Sequence, residues 1–184
     1  MRRLIALLPV LLVLVGAPPA AAWTWPTDGP VLQTFRLGDD PYAAGQHRGI
    51  DVGGRSGARA RAPAAGRVTF AGTVPGGGRT VSVRTTDGYA VTLLHLGTIA
   101  VARGSAVAEG ATVGTVGTSG AAEHAEPYVH LGIRIASEPE GYVDPVLLLP
   151  TRSAAVAPPV PPADAPAAAP RPAPVPPADA PAAA

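Results

Sequence analysis

Cysteine is absent from the 184 residues, and so is lysine: all 14 basic side chains are arginine. Without cysteine there is no disulfide framework, no thiolate metal site and no thiol to carry a lipid anchor, so stability has to come from a packed core. The chain also lacks a large net charge of either sign, its formal charge being +1. Once Arg2 and Arg3 are removed with the leader described below, 12 arginines face 13 acidic residues, and no basic patch remains to attract nucleic acid. Long apolar runs are missing too. The longest, Leu4 to Gly16, falls short of the roughly 20 residues that span a bilayer. Finally, no stretch keeps helical periodicity over three turns, which argues against a helical domain.

What is present divides the chain into segments. Arg2 and Arg3, the apolar run and Ala20-Ala21-Ala22 read as an export signal over residues 1–22, with the mature protein starting at Trp23. Secretion, with no stable membrane insertion after cleavage, is the expectation. From Thr151 the composition collapses to alanine and proline, and the unit Pro-Val-Pro-Pro-Ala-Asp-Ala-Pro-Ala-Ala-Ala occurs twice, beginning at Pro159 and Pro174. Such a tract cannot form sheet ladders and has nothing large to bury, so residues 151–184 are expected to be a disordered, extended tail.

Residues 23–150 are long enough for one core, and their texture is β. Short β-branched runs lie at 67–71, 80–84, 89–96, 112–116 and 128–135, punctuated by Gly76-Gly77-Gly78, Asp87-Gly88 and the glycines from 117 to 120. Thr85-Thr86-Asp87-Gly88-Tyr89 is the clearest hairpin, because Asp-Gly tolerates the positive φ angles of a tight turn. The fold class expected is all-β, mostly antiparallel.

Histidine placement carries the chemistry. His47 opens His47-Arg48-Gly49-Ile50-Asp51, and His130 lies on the alternating strand Tyr128-Val129-His130-Leu131-Gly132-Ile133-Arg134. Two imidazoles and one carboxylate are the donor set of a catalytic zinc ion with an open fourth position, and His95 is available as a proton-handling neighbour. Strand alternation puts Val129, Leu131, Ile133 and Ile135 on the apolar face and Tyr128, His130, Gly132 and Arg134 on the other, so Tyr128 points toward whatever His130 ligates. His124, Glu123 and Glu126 read as solvated residues of the loop from Gly120 to Pro127, the alternative for His124 being that it swings into the site to supply a further imidazole. Asp144 reads as a turn contact, and Trp23 and Trp25 as packing at the domain edge.

The order of the pieces is similar to that of the LytM and lysostaphin family of zinc peptidoglycan endopeptidases. The matching pieces are His47-Arg48-Gly49-Ile50-Asp51-Val52, Ala62-Pro63-Ala64-Ala65-Gly66-Arg67-Val68, Gly88 through Leu96, Val107-Ala108-Glu109-Gly110-Ala111-Thr112-Val113-Gly114, Gly117-Thr118-Ser119-Gly120, the His130 strand and Tyr142-Val143-Asp144-Pro145. They span roughly Gly45 to Leu149, which sets a domain at 45–150 behind a lead-in segment at 23–44. The resemblance implies a compact antiparallel β domain with a groove, in which Zn2+ is held by His47, Asp51 and His130 and His95 is a further functional histidine. It departs from the family at Tyr128, where the first histidine of a His-x-His pair is expected. An unperturbed phenol, with a pKa near 10, is a poor base at neutral pH but a competent hydrogen-bond donor to an oxyanion.

Two functional classes follow from the resemblance. One is an exported zinc metalloendopeptidase that cuts peptide bonds of cell-wall peptidoglycan, with His95 managing the proton and Tyr128 steadying the oxyanion. The other is a catalytically impaired module that binds the wall or regulates a separate wall hydrolase. Intact ligands favour the first; Tyr128 keeps the second open.

Overall fold

The computed structural model describes residues 23–40 and 43–152, so the expected export signal and almost all of the Pro/Ala tail lie outside the described residues. Ten strands follow one another: β1 (Val31–Gln33), β2 (Ile50–Gly53), β3 (Arg59–Arg61), β4 (Gly66–Val74), β5 (Gly78–Thr85), β6 (Tyr89–Ile99), β7 (Ala106–Val107), β8 (Thr112–Val116), β9 (Tyr128–Ile135) and β10 (Tyr142–Val143). A single 3₁₀ turn, Pro145–Leu147, closes the described part. The expectation of an all-β, antiparallel domain is met. The five runs read from the sequence are β4, β5, β6, β8 and β9, with ends shifted by a few residues in β4, β5 and β6.

Along the main path the strand order is β1-β2-β9-β6-β5-β4-β7; β10 adds to β9, and β8 joins β6 to β3. The expected hairpin joins β5 to β6, with Arg84 paired to Ala90 and Gly88 at φ 92°. β6 is the hinge of the architecture. Its first half pairs with β9 through Leu94↔His130, and its second half pairs with β8 from Leu96↔Val116 onward. Between them, His95 takes φ 63°, the one non-glycine residue with positive φ among the described residues. The break in the ladder is a bulge, which bends the strand and lets it serve two partners.

The alternation read for β9 holds. Val129, Leu131 and Ile133 are buried with Ile50 and Val52 of β2, Leu93 and Leu96 of β6 and Val81 and Val83 of β5 in one aliphatic core. Each such side chain contributes on the order of 1.5–3 kcal/mol by leaving water. Burying these rows turns the intervening residues of β2, β6 and β9 to the other face, and the candidate site is built there.

The segment before Gly45 is stitched to the same sheet. β1 pairs with β2, the Arg61 guanidinium makes two hydrogen bonds of 2.8 and 2.7 Å to the Asp28 carboxylate, and the Trp25 indole donates to the Pro150 carbonyl at 2.9 Å. Trp23 stands edge-on to Tyr89 with ring centroids 5.6 Å apart. Both tryptophans pack at the domain edge, as read from the sequence, and the Asp144 side chain accepts from Val146 N–H at the 3₁₀ turn in the structural role expected of it.

Candidate metal centre

Sheet register makes the site. Asp51 on β2 sits directly opposite His130 on β9, so two side chains 79 residues apart in sequence project side by side from one face. His47 lies just before β2 and is held by a bridge to Arg36, each backbone N–H donating to the other's carbonyl at 2.7 and 2.9 Å. Gly49 lets the chain pass between them: a Cβ there would run into the Leu131 carbonyl and the His130 ring. No larger residue fits without moving the strand that carries His130.

Three donor atoms converge. Asp51 Oδ1 lies 2.8 Å from His130 Nδ1 and 3.2 Å from His47 Nε2, and the two nitrogens are 3.1 Å apart. His47 Nδ1 is 2.8 Å from the Thr34 carbonyl oxygen, which can only accept; Nδ1 therefore carries the proton and Nε2 presents a lone pair to the cluster. In neutral His47 the Nε2 lone pair would face the Asp51 carboxylate oxygen, a clash relieved either by a second proton on the ring or by a cation seated between the donors. Ligands of a tetrahedral zinc ion at 2.0–2.1 Å are about 3.3 Å from one another, close to the separations found here, and the donor set of two imidazoles and one carboxylate suits that metal. The residues present fit the ion.

Electrostatics agree with the geometry. Burial alone would raise the pKa of Asp51, but hydrogen bonds from His130, His47 and His124 outweigh it and hold the carboxyl well below the ordinary carboxylate range. For His47, burial lowers the pKa, yet the bonds to Asp51 and to the Thr34 carbonyl win and the net shift is upward from 6.5. The centre is therefore an ionised carboxylate that attracts positive charge.

A groove of about 570 Å3 runs past these three residues, lined also by His95, Tyr128, Glu123 and Arg134. His95 Nδ1 lies 2.8 Å from the Ser119 carbonyl, so Nδ1 donates and Nε2 remains an acceptor. Holding a non-glycine residue in the left-handed region costs about 1–3 kcal/mol, a strain maintained here by the backbone N–H of His95 donating to Gly77 at 2.9 Å. Tyr128 is 1% exposed, its ring 4.9 Å from that of His95, and its hydroxyl oxygen accepts the Glu123 backbone N–H at 3.0 Å. Burial is the main reason its pKa rises above 10, which keeps the phenol neutral.

One expectation fails. His124, read as a solvated loop residue, instead has Nε2 2.9 Å from Asp51 Oδ2, and its ring stands edge-on to Tyr128 with centroids 4.8 Å apart. Alternation and turn patterns say nothing about where a loop side chain lands. The one available hint was a fourth histidine in the loop that leads into the His130 strand.

The site has relatives of known sequence and structure. The murein hydrolase activator NlpD of Salmonella dublin is 32% identical over 73% of this chain and 33% of its own length. The cell division protein DipM of Caulobacter vibrioides is 30% identical over 70% of this chain and 21% of its own. This chain thus spans a third or less of these curated relatives. Among solved structures, the catalytic domain of the antimicrobial peptidase lysostaphin from Staphylococcus simulans superposes with a TM-score of 0.54 at 25% identity, covering 65% of this chain and 88% of that one. Peptidase family M23, whose peptidases are zinc-dependent, matches residues 45–145, a stretch that contains His47, Asp51, His95 and His130. With more than half its length matched, the chain belongs to Peptidase family M23.

Proposed function

We propose that the protein is an exported zinc metalloendopeptidase that hydrolyses peptide bonds of bacterial cell-wall peptidoglycan, with residues 45–150 as the working domain. The observation that carries this reading is the convergence of His47 Nε2, Asp51 Oδ1 and His130 Nδ1 within 3.2 Å of one another on the wall of an open groove. These three residues would hold zinc. When bound, zinc supplies a Lewis acid that polarises an amide carbonyl and lowers the pKa of water toward 7.

The remaining chemistry belongs to the chain's own groups. His95, with its proton held on Nδ1 by the Ser119 carbonyl, has Nε2 available to take the proton released as water adds to the amide and to return it to the leaving amine. Tyr128, kept neutral by burial, offers its hydroxyl proton to the oxyanion while its oxygen accepts from Glu123. The β4–β5 hairpin end at 73–80 and the loop at 120–127 flank the groove and would choose which peptide enters it.

A second reading is favoured by the printed names of two relatives, an activator of murein hydrolases and a cell division protein, and by tyrosine at position 128. Under it the groove holds wall peptides or a partner hydrolase without turnover. The purified chain, assayed for bound zinc and for clearing of peptidoglycan with and without a chelator, separates the two. Stoichiometric zinc with chelator-sensitive clearing supports the peptidase, whereas stoichiometric zinc with no clearing supports the module.

A further inference from the structure

Asp51 uses its two carboxylate oxygens differently. Oδ1 belongs to the His47 and His130 cluster, and Oδ2 is bonded 2.9 Å away by His124 Nε2, a side chain 20% exposed that reaches in from the loop at 120–127. A carboxylate only accepts, so His124 Nε2 carries a proton and donates. With Oδ2 engaged in this way, the carboxylate is held so that Oδ1 alone faces the cluster.

The loop is fixed for the task at both sides of His124. Before it, Ala121 N–H donates to the Gly76 carbonyl at 2.7 Å, next to Gly120, whose φ of 82° turns the chain over the β4–β5 connection. Immediately adjacent, Glu123 N–H donates to the Tyr128 hydroxyl at 3.0 Å, and the His124 ring rests edge-on against the same phenol. After it, Gly54 N–H reaches the Pro127 carbonyl at 3.0 Å. Tyr128 therefore acts as a latch: its hydroxyl holds the backbone one residue away while its ring face sets the imidazole plane.

We infer that His124 is a positioning residue for the metal centre, orienting Asp51 as a one-oxygen ligand, and that Tyr128 acts through it by latching the loop. The inference rests on the zinc-binding reading above. Outer partners that orient a metal ligand typically change metal affinity by ~10- to 100-fold when removed.

The test is competitive zinc titration of the full chain against a chromogenic chelator, with refolding of each metal-free variant checked by its melting curve. His124→Ala should weaken zinc binding by ~10- to 100-fold, and His124→Gln, whose amide can still donate to Oδ2, should recover most of the loss. Tyr128→Phe should weaken binding less, and adding it to His124→Ala should change nothing further, because both act along one path. Unchanged affinity in His124→Ala, or fully additive losses in the double variant, overturns the inference while leaving the metal centre intact. A parent chain that binds no zinc overturns both.

Discussion

Replacing Asp51 by asparagine probes the centre with almost no change of shape. The carboxylate is 2% exposed and receives three imidazoles, at 2.8 and 3.2 Å on Oδ1 and 2.9 Å on Oδ2. For zinc, the loss is that of one ligand. Sites with four protein ligands bind with about 10–16 kcal/mol, or roughly 2.5–4 kcal/mol per ligand, so Asp51→Asn should raise the zinc Kd by roughly 10²- to 10³-fold. The metal-free protein should respond as well. Asp51 titrates below its ordinary value of 3.8 in the folded state, so its ionised form stabilises the fold above that pH, and the contribution is lost as pH falls through the lowered value. A hydrogen bond to a charged group is worth about 1.5–3 kcal/mol, which in a domain of this size lowers the melting temperature by roughly 5–15 °C at pH 7. Melts of chelated parent and variant should therefore stay apart at pH values above 3.8 and converge only as pH falls below it. A variant that keeps the parental zinc affinity would refute Asp51 as a ligand, and melting curves separated equally at every pH would refute the electrostatic argument.

Zinc affinity of the parent should rise with pH from 6 to 8, because the His47 pKa lies above 6.5 and its proton competes with the metal until pH passes that raised value; isothermal titration at three pH values reads this directly. His95→Asn should keep zinc and fold, since asparagine tolerates φ 63°, while losing ~10²- to 10⁴-fold in peptidoglycan cleavage; His95→Val, β-branched at the same angle, should in addition melt earlier. Leu131→Ala, fully buried behind the site, should cost 2–5 kcal/mol in urea unfolding, without a comparable change in the zinc affinity of the protein that remains folded. Gly49→Ala should weaken zinc binding by pushing against the His130 ring and the β9 backbone, and a variant with parental affinity would show that β2 can shift freely.

Local rules carried much of the fold. β4, β5, β6, β8 and β9 are long enough for β-branched composition and glycine punctuation to mark them, and the β5–β6 turn is spelled out by Asp87-Gly88. The strands β1, β3, β7 and β10 have only two or three residues, too few for a period-2 pattern, and they exist because a neighbouring edge offers unpaired backbone groups. β2 reads Ile50-Asp51-Val52-Gly53 and has the alternation, but four residues in a glycine-rich stretch do not announce a buried central strand.

Composition and order alone determined that this chain forms an antiparallel β domain, and the family resemblance carried by its motifs singled out His47, Asp51 and His130 as candidate ligands, because side-chain alternation and residue type are written residue by residue. Tertiary structure decided the rest. Only the β2–β9 register sets Asp51 across from His130, and only the change of partner along β6 forces His95 to φ 63°. Only the long-range bonds that hold the loop at 120–127, to Gly76, Gly54 and the Tyr128 hydroxyl, leave His124 within reach of Asp51. Each of these depends on which backbone groups meet across the fold, a property of long-range pairing that no local pattern encodes.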